Sequence, residues 1–181
     1  MAVLTATALT GITTRMADAS MSAGSIIQVE SYTKTDSFTT TSSSWTDTGL
    51  TDNITTTGSN KVLVLCQMSL SSNDQRFVYV NLLRGSTEIY KGDSAGSYRV
   101  SSSSMIFTNH YSNRLSGVQL QVPLMFVDSP GAGTHTYKVQ MKTQGSTDGL
   151  ACMGQSSRDT DNSGGYDSRH PSTITLMEVA A

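Results

Sequence analysis

Along most of the chain, apolar and polar residues alternate one for one. In 61–71, Val62, Val64, Cys66, Met68 and Leu70 fall on one side, with Gln67 and Ser69 on the other. Val118, Leu120, Val122, Leu124 and Phe126 repeat the pattern against Gln119 and Gln121, as do Tyr137, Val139 and Met141 against Lys138, Gln140 and Lys142. Successive side chains of an extended strand point to opposite faces, so this period of two predicts strands with one face toward a core and one toward water. Weaker alternation predicts further strands at 25–32, 50–56, 76–84, 87–91, 105–111, 150–155 and 172–179. Two of the strong segments are apolar on both sides: Leu63 and Leu65 sit opposite Val62 and Val64, and Met125 and Val127 opposite Leu124 and Phe126. Such strands need cover on both faces; contact between copies is a natural second cover, and loops or the N-terminal arm are the alternative.

The punctuation agrees with a β-rich chain. Arg84-Gly85-Ser86 separates two predicted strands, and Gly85 can take the positive φ that closes a tight hairpin. Asp128-Ser129-Pro130-Gly131-Ala132-Gly133 separates two of the strongest segments. No stretch sustains the 3.6-residue period of an amphipathic helix, because β-branched threonine keeps interrupting it. The fold class expected is all-β, an antiparallel, jelly-roll-like β-sandwich over residues 25–181. Residues 1–24 differ: they are rich in Ala and Thr with scattered Leu4, Leu9 and Ile12, and read as an extended arm that gains order by docking, with a disordered leader as the alternative. They carry no basic segment followed by an unbroken apolar one, so no secretory leader is expected.

Composition narrows the function classes. The 181 residues suit one domain with a full core. Charged residues are only 14% and hydrophobic ones 36%, the difference being made up by Ser and Thr at roughly three residues in ten. A net charge of −2 is unsuited to neutralising many phosphates, so no nucleic-acid partner is expected. No apolar run is long enough for a membrane span, so no membrane insertion is expected. Cys66 and Cys152 both lie in apolar runs and read as buried thiols rather than a bridge, in keeping with a reducing compartment.

Candidate chemistry is sparse. Gly92-Asp93-Ser94-Ala95-Gly96 has the spacing of a nucleophile elbow, but that device needs a strand before it and a helix after it. The residues that follow, Ser97-Tyr98-Arg99-Val100-Ser101, are extended in character, so a plain turn is the better reading. Asp159-Thr160-Asp161-Asn162-Ser163-Gly164 begins like a calcium loop, yet its twelfth position is His170 instead of a bidentate glutamate. His110, His135 and His170 have no paired spacing for a metal. No catalytic residue, metal or cofactor is therefore expected, and the chain reads as a non-enzyme. Arg158, Asp159, Asp161, Tyr166, Arg169 and His170 share one polar loop, whose mix of planar and hydrogen-bonding groups suits contact with a partner or a glycan. Trp45, the single tryptophan, reads as a core anchor.

Several segments in order carry a resemblance: Gly24-Ser25-Ile26-Ile27-Gln28-Val29, Trp45-Thr46-Asp47-Thr48-Gly49-Leu50, Ser59-Asn60-Lys61-Val62-Leu63-Val64, Leu82-Leu83-Arg84-Gly85-Ser86-Thr87, Gly92-Asp93, Thr136-Tyr137-Lys138-Val139-Gln140 and Ser172-Thr173-Ile174-Thr175-Leu176-Met177-Glu178-Val179. Over about residues 24–179 the chain resembles tail-fibre and virion structural proteins of tailed bacteriophages, of the kind frequent in aquatic and cyanobacterial phages. The resemblance implies a β-sandwich head displayed on the virion as a homotrimer, with no transferable catalytic residues. With a short arm and no shaft repeats ahead of the head, the expectation is a fibre or receptor-binding knob held by that arm. The alternative is a capsid cement (decoration) protein, and a glycan-acting hydrolase using Ser94 stands third. The partners this implies are other copies, a tail, baseplate or major capsid protein, and a host surface glycan, with assembly in the host cytoplasm.

Overall fold

A computed structural model describes residues 21–73, 77–107, 118–144, 149–161, 163 and 167–181. Among them there are eleven strands and no helix: β1 (Ile26–Lys34), β2 (Phe38–Thr40), β3 (Thr46–Thr56), β4 (Lys61–Ser72), β5 (Phe77–Arg84), β6 (Thr87–Tyr90), β7 (Ser104–Phe107), β8 (Leu120–Asp128), β9 (Gly133–Thr143), β10 (Ala151–Met153) and β11 (Ser172–Val179). All pairing is antiparallel, in two sheets. The arm residues Leu4, Leu9 and Ile12 lie outside the described residues.

In the first sheet β8 pairs along one edge of β4. The other edge of β4 is shared, with β11 along 61–67 and β10 along 70–72. Outside these lie β1, paired with β11, and β2, paired with β10. In the second sheet β9 lies between β3 and β5, and the far edge of β5 takes β7 along 77–80 and β6 along 82–84. The pairs β1 with β11, β2 with β10, β3 with β9 and β4 with β8 nest around the β5–β6 hairpin.

The inner rows follow from register, since residues opposite one another on paired strands share a face. Tyr32–Ile174–Cys66–Leu124 and Glu30–Leu176–Val64–Phe126 run straight across β1, β11, β4 and β8. Ile174, Leu176, Val64 and Cys66 are buried against Val78, Val80, Leu82, Tyr137, Val139 and Met141 of the second sheet. Cys66 and Cys152 are free and buried, as expected, and burial pushes their thiols up to about 12 and about 11.

The next inner row, Gln28–Glu178–Val62–Asp128, closes the core with carboxylates. Glu178 is 1% exposed. Its Oε1 accepts from Asn60 Nδ2 and Thr57 N, both at 2.9 Å, and its Oε2 from Gln28 Nε2 at 2.7 Å. Asp128 accepts from Arg84 at 2.5 Å and from the Tyr137 hydroxyl at 2.7 Å. Burial and this bond to Asp128 hold the Tyr137 phenol above its ordinary range.

Local devices match the punctuation. Gly85 takes φ +58° in the turn from β5 to β6. A register shift in β3 falls between Asp47 and Thr51 around Gly49, at φ +80°. There the Thr48 and Thr51 hydroxyls donate to the carbonyls of Val139 and Tyr137 at 2.8 and 3.0 Å, replacing lost ladder bonds.

Candidate functional site

The polar loop singled out from the sequence stands on a short neck. His170 N donates to Gly154 O at 3.1 Å, Ser156 N to Ser168 O at 3.3 Å, and Gln155 bridges Arg169. The neck is tied to the first sheet by Gly154 N to Ser69 O at 2.9 Å and Ser71 Oγ to Gln155 O at 2.8 Å. Gln119 adds a bridge, accepting from Ser69 Oγ at 2.7 Å and donating to Ser168 O at 2.5 Å.

Above the neck the charges satisfy one another. Asp167 accepts from Arg158 Nε at 2.9 Å and from the hydroxyls of Thr160 and Ser156, both at 2.7 Å. Those donors, Arg158 foremost, hold its carboxyl well below the usual carboxylate range. Asp159, at φ +41°, takes Arg169 as a bidentate partner at 2.6 and 3.1 Å, which lowers its pKa too. His170 Nε2 lies 3.1 Å from Ser168 Oγ. Arg158, Asp159, Arg169 and His170 are thus brought together as expected, Asp161 is exposed beside them, and Tyr166 lies outside the described residues. Asp159, Thr160, Asp161, Asp167, Ser168 and Arg169 line a shallow depression of about 290 Å³. The loop presents a braced polar surface, with the Ser168 hydroxyl beside the His170 imidazole.

The other sequence candidates stay apart. Ser94 is in an exposed loop, and among the described residues no helix follows it. His135 contacts Gly131 O at 3.1 Å in the β8–β9 turn, and His110 lies outside the described residues. Among the described residues no cluster of His, Cys, Asp and Glu is arranged to hold a metal ion.

The doubly apolar strands converge. On the outer face of the first sheet, register lines up Val29, Met177, Leu63 and Val127 in one row across β1, β11, β4 and β8. The next row is Ser31, Thr175, Leu65 and Met125. Val29 is 51%, Val127 53% and Met125 67% exposed. Beside them a shallow concavity of about 560 Å³ is bordered by Leu65, Gln67, Pro123, Met125, Thr173 and Thr175, with Tyr90 reaching it from β6. Full burial of one such side chain is worth about 1.5–3 kcal/mol, so roughly half of that remains available at each exposed position.

Two expectations are corrected. Trp45 is half-buried at the start of β3 with the Lys142 ammonium over its ring, and is not part of the core cluster. Val118 and Leu120 are 36% and 38% exposed, so the inward run of β8 begins at Val122. Leu120 is the last residue of β8 paired with β4, and Val118 lies beyond the ladder.

No family model matches the chain, and no curated protein matches it. Among solved structures it is similar to a chain in the structure of infectious bursal disease virus, Gx strain, at 14% identity and a TM-score of 0.34. The similarity covers 87% of this chain and 39% of that one, so this chain spans well under half of its neighbour's length. Similarity at that level carries no functional argument.

Proposed function

We propose that this protein is a structural component of a tailed-phage virion, displayed on the particle surface as a homotrimer: a tail fibre or receptor-binding knob held by its N-terminal arm. The observation that carries the reading is the apolar double row on the outer face of the first sheet, Val29–Met177–Leu63–Val127 with Leu65 and Met125. Among the described residues it includes side chains more than half exposed. Contiguous exposed apolar surface of this kind marks a contact site. Covering it in three copies contributes on the order of 10 kcal/mol before association costs. Three is the copy number implied by the phage-protein resemblance, and closed point-group symmetry accommodates it.

The nested pairing supports a jelly-roll reading of the sandwich. A long hairpin that pairs first strand with last, and so on inward, yields these two sheets when rolled up. Fold alone does not assign function, so the test is location. Immunogold electron microscopy of purified particles carrying a tagged copy is expected to mark the tail tip. Marking spread over the shell would instead favour the capsid cement role, which uses the same arm and the same face. Absence from the particle would defeat both. Deleting residues 1–24 is expected to abolish incorporation while leaving the head folded and trimeric. Neither role requires catalysis, and Ser94→Ala is expected to leave particle assembly unchanged.

A further inference from the structure

The outer face of the second sheet carries a cluster unlike that of the first. Register places Met105, Tyr79 and Lys142 in one row across β7, β5 and β9, with Phe107 opposite Phe77 beside it. Phe77 lies 6.2 Å from Tyr79 and 4.7 Å from Phe107, centroid to centroid. Trp45, entering β3 on the far side of β9, brings its ring within 4.6 Å of the Lys142 ammonium, which is also 5.8 Å from the Tyr79 ring. Phe107 and Met105 are 41% and 49% exposed. None of the ion pairs among the described residues uses Lys142, whereas Lys138, on the same face of β9, is bound to Asp47 at 2.8 Å.

We infer that this face is a binding site for an acidic glycan, with the apolar C–H face of a pyranose ring laid on Trp45 and Tyr79 and its carboxylate on Lys142. The aromatic faces supply area at little entropic cost, and the lysine, held by two rings and with no carboxylate partner among the described residues, supplies the complementary charge. A peptide strand is a poorer occupant. It binds by adding to a free sheet edge or filling a groove, whereas Tyr79 and Lys142 lie on the face of two strands already paired to each other. The site is separate from the polar loop, and the inference does not depend on the virion reading.

Trp45 is the only tryptophan, so its fluorescence reports on the site directly. The intact chain is titrated at low ionic strength with hexagalacturonate, with neutral maltohexaose and with a poly-glutamate peptide. The expected result is a saturable change in Trp45 emission with hexagalacturonate, weakened about tenfold or more in Lys142→Gln and retained in Lys142→Arg. Such a loss corresponds to about 1.4 kcal/mol. Maltohexaose is expected to bind at least about tenfold more weakly. The inference is overturned by the absence of a saturable change up to about 10 mM, a range that reaches interactions weaker than about −4 kcal/mol. It is equally overturned by an unchanged affinity in Lys142→Gln or by poly-glutamate binding as tightly as the sugar. Because the isolated chain is used, none of these outcomes bears on where the protein sits in a particle.

Discussion

Glu178 offers the sharpest test of how the sandwich is closed. Its carboxylate is 1% exposed and none of the ion pairs among the described residues includes it; instead it gathers donors from two segments, Gln28 of β1 and the Thr57–Asn60 turn, and so ties both to its own strand β11. Ala181 also reaches that turn, its N donating to Asn60 Oδ1 at 3.2 Å. Replacement by Gln keeps the shape. Its carbonyl can occupy the Oε1 position, but its amide then meets the Gln28 amide donor to donor. Relief requires Gln28 to flip, which forfeits its 2.5 Å bond to Thr55 O. Loss of one bond and of charge assistance on the others predicts about 1–3 kcal/mol. Replacement by Ala strips the acceptor from the buried Asn60 amide and from the part-buried Gln28 and Thr57 donors, and leaves a cavity where the side chain was, for a total of about 4–6 kcal/mol after relaxation. For a chain of this size about 1 kcal/mol shifts Tm by about 2–4 °C, so Glu178→Gln is expected to lower Tm by about 2–12 °C and Glu178→Ala by about 8–24 °C. Differential scanning calorimetry at neutral pH measures both. An alanine variant melting within about 2 °C of the parent would refute the argument that this carboxylate ties the three segments.

Other consequences can be checked in parallel. Met125→Glu, at a position 67% exposed, is expected to change the stability of the single chain by less than about 0.5 kcal/mol. It would bury an unpaired charge in the proposed contact between copies, so sedimentation should show the assembly weakened by about 2–4 kcal/mol; an unchanged assembly would remove that face from the interface. Asp167 and Asp159 have folded-state pKa values below their ordinary one, so their ion pairs contribute fully above about pH 4. That contribution disappears as pH falls through the depressed values; protection factors, corrected for intrinsic exchange, should fall there in 154–161 and 167–170, and equal protection factors at about pH 6 and about pH 1 would contradict it. Gly154→Ala places a Cβ at φ +80°, 3.2 Å from the Asp36 carbonyl, and is expected to cost about 2–3 kcal/mol by thermal melting. A Tm shift below about 2 °C would contradict the strain at that neck.

Much of the fold was legible because alternation is a local signal. The strands expected at 61–71 and 172–179 are Lys61–Ser72 and Ser172–Val179 in the structure. The outward placement of Leu63, Leu65, Met125 and Val127 followed from the same parity. β2 was missed because Phe38–Thr40 is three residues inside a Ser/Thr tract and is held by β10, whose sequence lies far downstream. Loop residues 158–170 were recognisable as a cluster, but not that Arg158 and Arg169 would be consumed by Asp167 and Asp159. The Trp45–Lys142–Tyr79 cluster was invisible for the same reason: sequence parity puts Lys142 outward, but only the β3–β9–β5 order brings Trp45 over it. Parity puts Glu178 on the same side as Ile174 and Leu176, but a carboxylate there reads as the polar end of a strand until the Gln28, Thr57 and Asn60 donors around it are seen.

The central claim, that this chain completes itself by contact between copies, is tested most directly by the solution mass of the intact protein at micromolar concentration. Sedimentation equilibrium is expected to return about 58 kDa, three times the 19.3 kDa of one chain. A stable 19.3 kDa species across that range would contradict it.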